Sequence, residues 1–123
     1  MAADDNENFA HTIGAEVVEA DDDRAVVVID AGSALSNPHG TVHGGAVATL
    51  ADIAMGAAVR RDDEVPVTVQ LTITYLEAAP LGRLTATATV RRRGSRITIT
   101  EADIIDADGT AVAHAVATFT TIG

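Results

Sequence analysis

The period of the apolar positions changes twice along this 123-residue chain. Residues 12–19 and 24–30 read as two short β runs around Asp21-Asp22-Asp23, a hairpin signal without glycine. Residues 31–42 are rich in Gly, Ser, Asn and Pro and read as a loop. From position 46 to position 59 the pattern is helical but apolar on every side, with Thr49 and Asp52 as the sole polar side chains. Gly44 or Gly45 opens this helix, which ends near Arg60. A helix apolar all round is expected to be buried.

After Pro66 the period becomes two. Val67, Val69, Leu71, Ile73 and Tyr75 fall on one face, and Thr68, Gln70, Thr72 and Thr74 on the other. Turns at Pro80-Leu81-Gly82, Gly94-Ser95 and Asp108-Gly109 separate strands at 66–78, 84–90, 97–105 and 111–120. Four strands after one helix predict a meander. With the N-terminal pair they make five or six antiparallel strands. A strand over 66–78 would span roughly 43 Å, and the helix roughly 24 Å. The sheet can therefore curl around the helix. The predicted class is α+β, a hotdog fold in which an antiparallel sheet wraps one long central helix. Residues 1–10 read as an acidic, frayed lead and 11–123 as a single domain.

Composition narrows the function. Apolar residues make up 47% of the chain and aromatics 2%, so the core is built from Ala, Val, Ile and Leu. The absence of cysteine removes disulfide frameworks and thiolate zinc sites. No apolar run reaches the ~18 residues of a membrane span. The first residues lack the basic and apolar regions of a signal peptide, so a cytoplasmic location is the default expectation. Acidic residues number 18 against 8 basic ones, all arginine, and the net charge is −10. Nucleic acid is not an expected partner of such a surface. The balance suits a salt-adapted source, because the Debye length falls to about 3 Å at 1 M salt and self-repulsion is screened. GC-rich coding of an ordinary acidic protein would also deplete lysine.

Asp52 carries the chemistry. An ionised carboxylate in an apolar helix costs several kcal/mol unless compensated, and a neutral residue would pack there more cheaply. It lies downstream of Asn37 and of His43-Gly44-Gly45, in Leu50-Ala51-Asp52. Thr72-Ile73-Thr74-Tyr75-Leu76 and Pro80-Leu81-Gly82 follow. This combination resembles the hotdog-fold acyl-CoA thioesterases of the phenylacetic-acid-pathway type, the 4-hydroxybenzoyl-CoA thioesterase-like family. The resemblance covers about residues 30–120. It implies hydrolysis of an acyl- or aryl-acyl-CoA thioester to free acid and coenzyme A, with no cofactor. It implies that Asp52 activates water or attacks directly, and that the Gly44 N–H donates to the thioester carbonyl oxygen. Asn37 would hold the carbonyl or a water, His43 would steady the loop and the leaving sulfur, and Thr68 would orient the attacking water. Gly45 belongs to the same substrate-binding turn.

Elementary physics points the same way. The first N–H groups of a helix lack intrahelical partners and sit at the positive end of its dipole. Asp52 is eight residues beyond Gly44, about 12 Å along the axis. A reacting carbon must lie about 3 Å from both nucleophile and oxyanion donor. One helix cannot supply both, so the site is expected to be shared across a homodimer with antiparallel helices; the family resemblance implies a homotetramer built from two such dimers.

Other readings stay open at this level. Asp52 could bond structurally to a nearby Ser or Thr. His39 and His43 have an H-x-x-x-H spacing, but Pro38, Gly40 and Gly44 break any helix across it and no third metal ligand is evident. No metal is expected. His43 could simply pack its loop, and His39 and His114 read as solvated or strand histidines. Thr68 falls on the face opposite Val67 and Val69, so it reaches the site only through a second subunit or a distorted strand. Arg91-Arg92-Arg93-Gly94-Ser95-Arg96 is the one basic cluster, and Arg93 or Arg96 could pair with the phosphates of coenzyme A. A charged hairpin tip is the plainer alternative. A non-hydrolytic acyl-CoA-binding hotdog module is the alternative function. A hotdog hydratase would carry Asp-x4-His, and none of the four His has an Asp five residues before it.

Overall fold

In the computed structural model, which describes residues 8–122, Asn8 caps a four-residue helix, α1 (Phe9–Thr12), by accepting the His11 N–H on its side chain. Gly14, at φ +74°, takes the chain out of that turn. The first strand therefore begins at Glu16, later than the pattern predicted, and residues 8–10 lie in or next to the helix. The rest of the acidic lead lies outside the described residues. The remaining elements are β1 (Glu16–Asp21), β2 (Arg24–Ala31), a 3-10 turn (Ser33–Leu35), α2 (Gly44–Val59), β3 (Val65–Tyr75), β4 (Gly82–Arg93), β5 (Thr98–Ile105) and β6 (Ala111–Ile122).

The strands form one antiparallel sheet in the order β1-β2-β4-β5-β6-β3. The predicted four-strand meander is corrected: only β4, β5 and β6 run hairpin to hairpin, and β3 lies beyond β6 at the far edge. Residues 76–81 cross back from that edge to the sheet interior. Three strand spacings are about 14 Å, within the roughly 20 Å that six extended residues reach. The crossover passes the N-terminal end of α2, where the Val42 N–H donates to the Ala79 carbonyl at 2.8 Å.

All six strands pack against α2. The inner face of the sheet is largely alanine, with Ala25, Ala86, Ala88, Ala102, Ala115 and Ala117 all buried. These small side chains let the sheet wrap close to the helix. From the helix come Val47, Leu50, Ala51, Ala54, Met55, Ala58 and Val59, the one-sided stripe of an amphipathic contact. Ala46, Thr49, Asp52, Ile53 and Gly56 on the other side are half-exposed. The expectation of a helix buried all round is corrected: one chain covers one face, and the second face, which sets Thr49 and Asp52 among Ala46, Ile53 and Gly56, is half open.

Strand β3 departs from simple alternation. Thr68 pairs with Phe119 and Gln70 with Thr118, so Val69 is an extra residue in a β-bulge. Thr68 thereby faces α2, and after the bulge Leu71 and Ile73 face it instead. Val69 turns outward and is 60% exposed. The single inner face predicted from Val67 to Tyr75 does not exist, because the bulge exchanges the two faces partway along.

A clamp closes the opposite end of α2. The two-residue hairpin Asp22-Asp23 puts Asp23 at φ 68°. Its carboxylate accepts from Arg93 at 2.7 Å and from Arg61 at 3.0 Å. Arg93 also donates to the Val59 carbonyl at 3.1 Å, placing a cation at the negative end of the helix. The hydrogen bond from Arg93 holds the Asp23 carboxyl below the usual carboxylate range, against the smaller opposing effect of burial.

Candidate active site

The N-terminus of α2 is built by its own flanks. His43 is the N-cap, and its Nδ1 accepts the Gly45 N–H at 2.8 Å. A neutral ring accepting at Nδ1 carries its proton on Nε2. The Gly45 N–H is thus taken, while no acceptor among the described residues receives the Gly44 N–H. The two glycines were grouped together by sequence; the structure separates them into a capped donor and a free one.

Gly44 has a second neighbour. Tyr75, the chain's one tyrosine, donates its hydroxyl to the Gly44 carbonyl at 2.7 Å. A Cβ on Gly44 would stand 3.3 Å from the Tyr75 ring carbon that bears the hydroxyl. A methyl here would crowd the Tyr75 ring, so glycine suits the close approach of that side chain as well as access to its own N–H. Sequence reasoning missed Tyr75 as a site residue. The signal was a lone aromatic ending the strand that follows the helix, but only the topology brings it back 31 residues to the helix start.

Asn37 sits in the preceding loop, half-buried. Its Oδ1 accepts from the His39 N–H at 2.9 Å and the Thr41 N–H at 3.1 Å, and its Nδ2 donates to Thr41 Oγ1 at 2.7 Å. Most of its capacity shapes the loop, which leaves one Nδ2 hydrogen for a ligand. Asn37, Thr41, Gly44, Tyr75 and Glu77 line a cleft of about 210 Å³ that is mixed in character, its remaining wall being apolar and including Val42 and Val47.

Two turns along α2, Asp52 is half-buried on the open face. Thr68 donates its hydroxyl to Asp52 Oδ1 at 2.6 Å, a length typical of a charge-assisted O–H···O⁻ bond. The bulge at Val69 makes this contact possible. Thr68 fixes one carboxylate oxygen and leaves the other to solvent or ligand.

The basic hairpin divides in two. Arg93 points inward and is committed to Asp23 and Val59, so a phosphate would have to displace an internal ion pair. The expectation for Arg93 is revised accordingly. Arg96 is exposed and lines a shallow depression of about 430 Å³ with Arg92, Ile97 and Ile99. His39 lies exposed in its loop. His114 lies on strand β6 between the buried Ala113 and Ala115 and beside Thr74 in register, and it bonds Asp103 at 2.7 Å on the face of the sheet turned away from the helix. Among the described residues, no group of three or more His, Asp or Glu side chains is arranged to hold a metal ion. No described helix is long and apolar enough to cross a membrane.

Comparison with known proteins agrees with this architecture. Residues 39–113 match the model of the thioesterase superfamily. The acyl-coenzyme A thioesterase PaaI of Escherichia coli K12 is 30% identical over 103 residues, 83% of this chain and 74% of its own. A candidate esterase of Halobacterium salinarum is 37% identical, over 89% of this chain and 81% of its own. The solved structure of the E. coli PaaI protein superposes with a TM-score of 0.88, covering 93% of this chain and 83% of that one. An antiparallel sheet wrapped on one long helix, a family match across both the helix terminus and the Asp52 turn, and a relative of this identity lead to one assignment: the chain belongs to the thioesterase superfamily, and it is a thioester hydrolase of the hotdog fold.

Proposed function

We propose that the substrate is an acyl- or aryl-acyl-coenzyme A thioester, cleaved to the free acid and coenzyme A. The observation that carries this reading is the pairing of a threonine-held carboxylate, Asp52, with a free helix-terminal donor, the Gly44 N–H, on one helix. The carboxylate takes a proton from water as the water attacks the thioester carbonyl, or attacks that carbon itself to form an anhydride that water then opens. The carbonyl oxygen becomes an oxyanion at Gly44, where a preorganised N–H contributes about 2.7–4 kcal/mol. The sulfur departs, with the Nε2–H of His43 beside it, and Asn37 supplies its remaining N–H to the carbonyl or a water.

The two ends are about 12 Å apart along the axis, so two copies must cooperate. Strand β3 supports a specific way to do so. It is an 11-residue edge with no partner on its outer side among the described residues, and an unpaired edge templates pairing with another chain. The same strand carries Thr68 against Asp52 and Tyr75 against Gly44. Antiparallel pairing of two β3 strands about a twofold axis near Leu71 and Thr72 sets Thr68 of one copy opposite Tyr75 of the other. Each Gly44 then meets the other copy's Asp52, and the half-open faces of the two helices approach. Arg96 would meet the phosphates of coenzyme A at the rim.

A panel of acyl-CoA esters read by free-thiol release tests the reaction. Mixing inactive Asp52→Ala subunits with inactive Asn37→Ala subunits tests the sharing, since one hybrid site is intact. Activity is expected to reappear on subunit exchange. Silence after proven exchange would show that each chain supplies its own site.

A further inference from the structure

Two adjacent glycines give a helix start more backbone freedom than any other pair, yet the turn from His43 to Gly45 is held at almost every polar group. The His43 carbonyl accepts the Ala46 N–H at 2.9 Å. The Gly45 carbonyl accepts the Thr49 hydroxyl at 2.8 Å. Between them lies the peptide that joins Gly44 to Gly45, and it is gripped at both ends. Tyr75 donates to its oxygen at 2.7 Å, and its N–H donates to His43 Nδ1 at 2.8 Å. The oxygen and hydrogen of a trans peptide point in opposite directions, so the phenol and the imidazole sit on opposite sides of one amide. A Cβ on Gly45 would stand 3.1 Å from His43 Nδ1, as one on Gly44 would crowd the Tyr75 ring, so each glycine makes room for one of the two rings. The bonds form a continuous chain: Tyr75 O–H, Gly44 carbonyl, Gly45 N–H, His43 Nδ1 and, across the ring, His43 Nε2–H. The Gly44 N–H stays outside it.

We propose that Tyr75 is a positioning residue for the hydrolysis, acting on His43 through that peptide. This rests on the thioesterase reading above. Bonds in such a chain polarise one another. A hydrogen bond donated to the Gly44 carbonyl draws electron density along the amide and makes the Gly45 N–H a stronger donor. That N–H occupies the Nδ1 lone pair, so the ring keeps its proton on Nε2. The Nε2–H in turn becomes a stronger donor to the sulfur as negative charge gathers there. The benefit arises in the transition state and leaves binding of the ester untouched. Tyr75 comes from β3, the strand that also carries Thr68 to Asp52, so one strand orients both the carboxylate and the histidine.

Tyr75 is the only tyrosine of the chain, so growth on 3-fluorotyrosine labels this position alone and gives it a more acidic, more strongly donating hydroxyl. The fluorinated protein, the wild type and Tyr75→Phe are compared near neutral pH by NMR of the Gly45 amide and the His43 ring nitrogens, and by steady-state kinetics with an acyl-CoA ester. The Gly45 amide proton is expected to move upfield in Tyr75→Phe and downfield in the fluorinated protein, with the His43 Nδ1 resonance following it. In Tyr75→Phe kcat is expected to fall about threefold, with KM unchanged, whereas the fluorinated protein keeps or exceeds the wild-type rate. In a His43→Ala background Tyr75→Phe is expected to cost no further rate, since the two residues act as one unit. Gly45 and His43 signals that do not move with donor strength would overturn the proposal and leave Tyr75 a structural support of the turn. A further threefold loss in the His43→Ala background would overturn it too. The shifts are read without substrate: a protein that shows them but turns over no coenzyme A ester overturns the thioesterase reading, and with it the role in hydrolysis, while keeping the chain of bonds.

Discussion

Thr68 and Asp52 lie 16 residues apart on different elements, and their side chains meet at 2.6 Å because strand β3 bulges at Val69. The bond fixes the carboxylate's orientation at one oxygen. Asp52→Ala is expected to leave a folded protein with thioester hydrolysis reduced at least about a hundredfold. Thr68→Val is expected to cost about ten- to a hundredfold in kcat, the penalty of a misplaced group, with KM little changed. Thr68→Ser restores the hydroxyl and most of the rate. Steady-state kinetics of the three variants, with circular dichroism as a check on folding, measure this. Normal turnover in Asp52→Ala would end the proposed mechanism.

At the other end of β3, Tyr75 ties the strand to the Gly44 carbonyl. Tyr75→Phe removes one hydrogen bond, worth about 0.5–1.5 kcal/mol, and should lower Tm by roughly 4 °C. Gly44→Ala brings a methyl to 3.3 Å from the ring, so the ring and the terminal N–H must shift by a few tenths of an ångström. A loss in kcat larger than the loss in stability is expected for Gly44→Ala, and the reverse for Tyr75→Phe. Calorimetry beside kinetics separates the two effects. Equal behaviour of both variants would show that Tyr75 does not position the helix start independently of the donor.

Acid should loosen the far end of the helix. The Asp23 carboxyl is held low chiefly by the hydrogen bond from Arg93, and the exposed Asp30 carboxyl is held low by Arg83. Groups depressed in the folded state stabilise it fully above their unfolded value near 3.9. That contribution is lost as pH falls through the folded values. Unfolding should therefore begin below about pH 4. Asp23→Asn, which suits a left-handed residue, should flatten the stability profile in that acid range and leave it unchanged in shape near neutrality. An acid titration followed by far-ultraviolet dichroism reads the difference, and an unaltered profile would remove Asp23 from the clamp.

Salt should act in two opposed ways. With 18 acidic and 8 basic residues, self-repulsion weakens the compact state in dilute buffer. Molar KCl screens it within about 3 Å. Stability and kcat are expected to rise with salt, falling off below about 0.5 M on the Debye-length trend. The contacts proposed between Arg96 and the phosphates of coenzyme A would weaken in the same series, so KM should rise. Thermal unfolding and kinetics across a KCl series test both halves. A midpoint that stays fixed between low and molar salt would remove the salt-adapted reading and leave the hydrolase assignment untouched.

The amino-acid order determined the helix over residues 44–59 and the existence of the later strands, and it singled out Asp52 and Gly44 as candidates, because these follow from local periodicity, glycine placement and a carboxylate in an apolar run; Asn37 and His43 entered only through the family resemblance. It even raised the possibility of a distorted strand at Thr68. Only the tertiary structure decided which face Thr68 occupies, since one extra residue against β6 reverses side-chain parity and no local preference announces it. The same holds for Tyr75, whose partner is 31 residues away, and for Arg93, drawn inward by Asp23 and the end of the helix rather than left at a hairpin tip. Strand order was decided there too. The turn at Pro80 looks the same in sequence whether the next strand pairs with β3 or crosses to the middle of the sheet. What selects the crossing is non-local: β3 pairs with β6 along its length, and the Ala79 carbonyl bonds Val42 at the helix entrance.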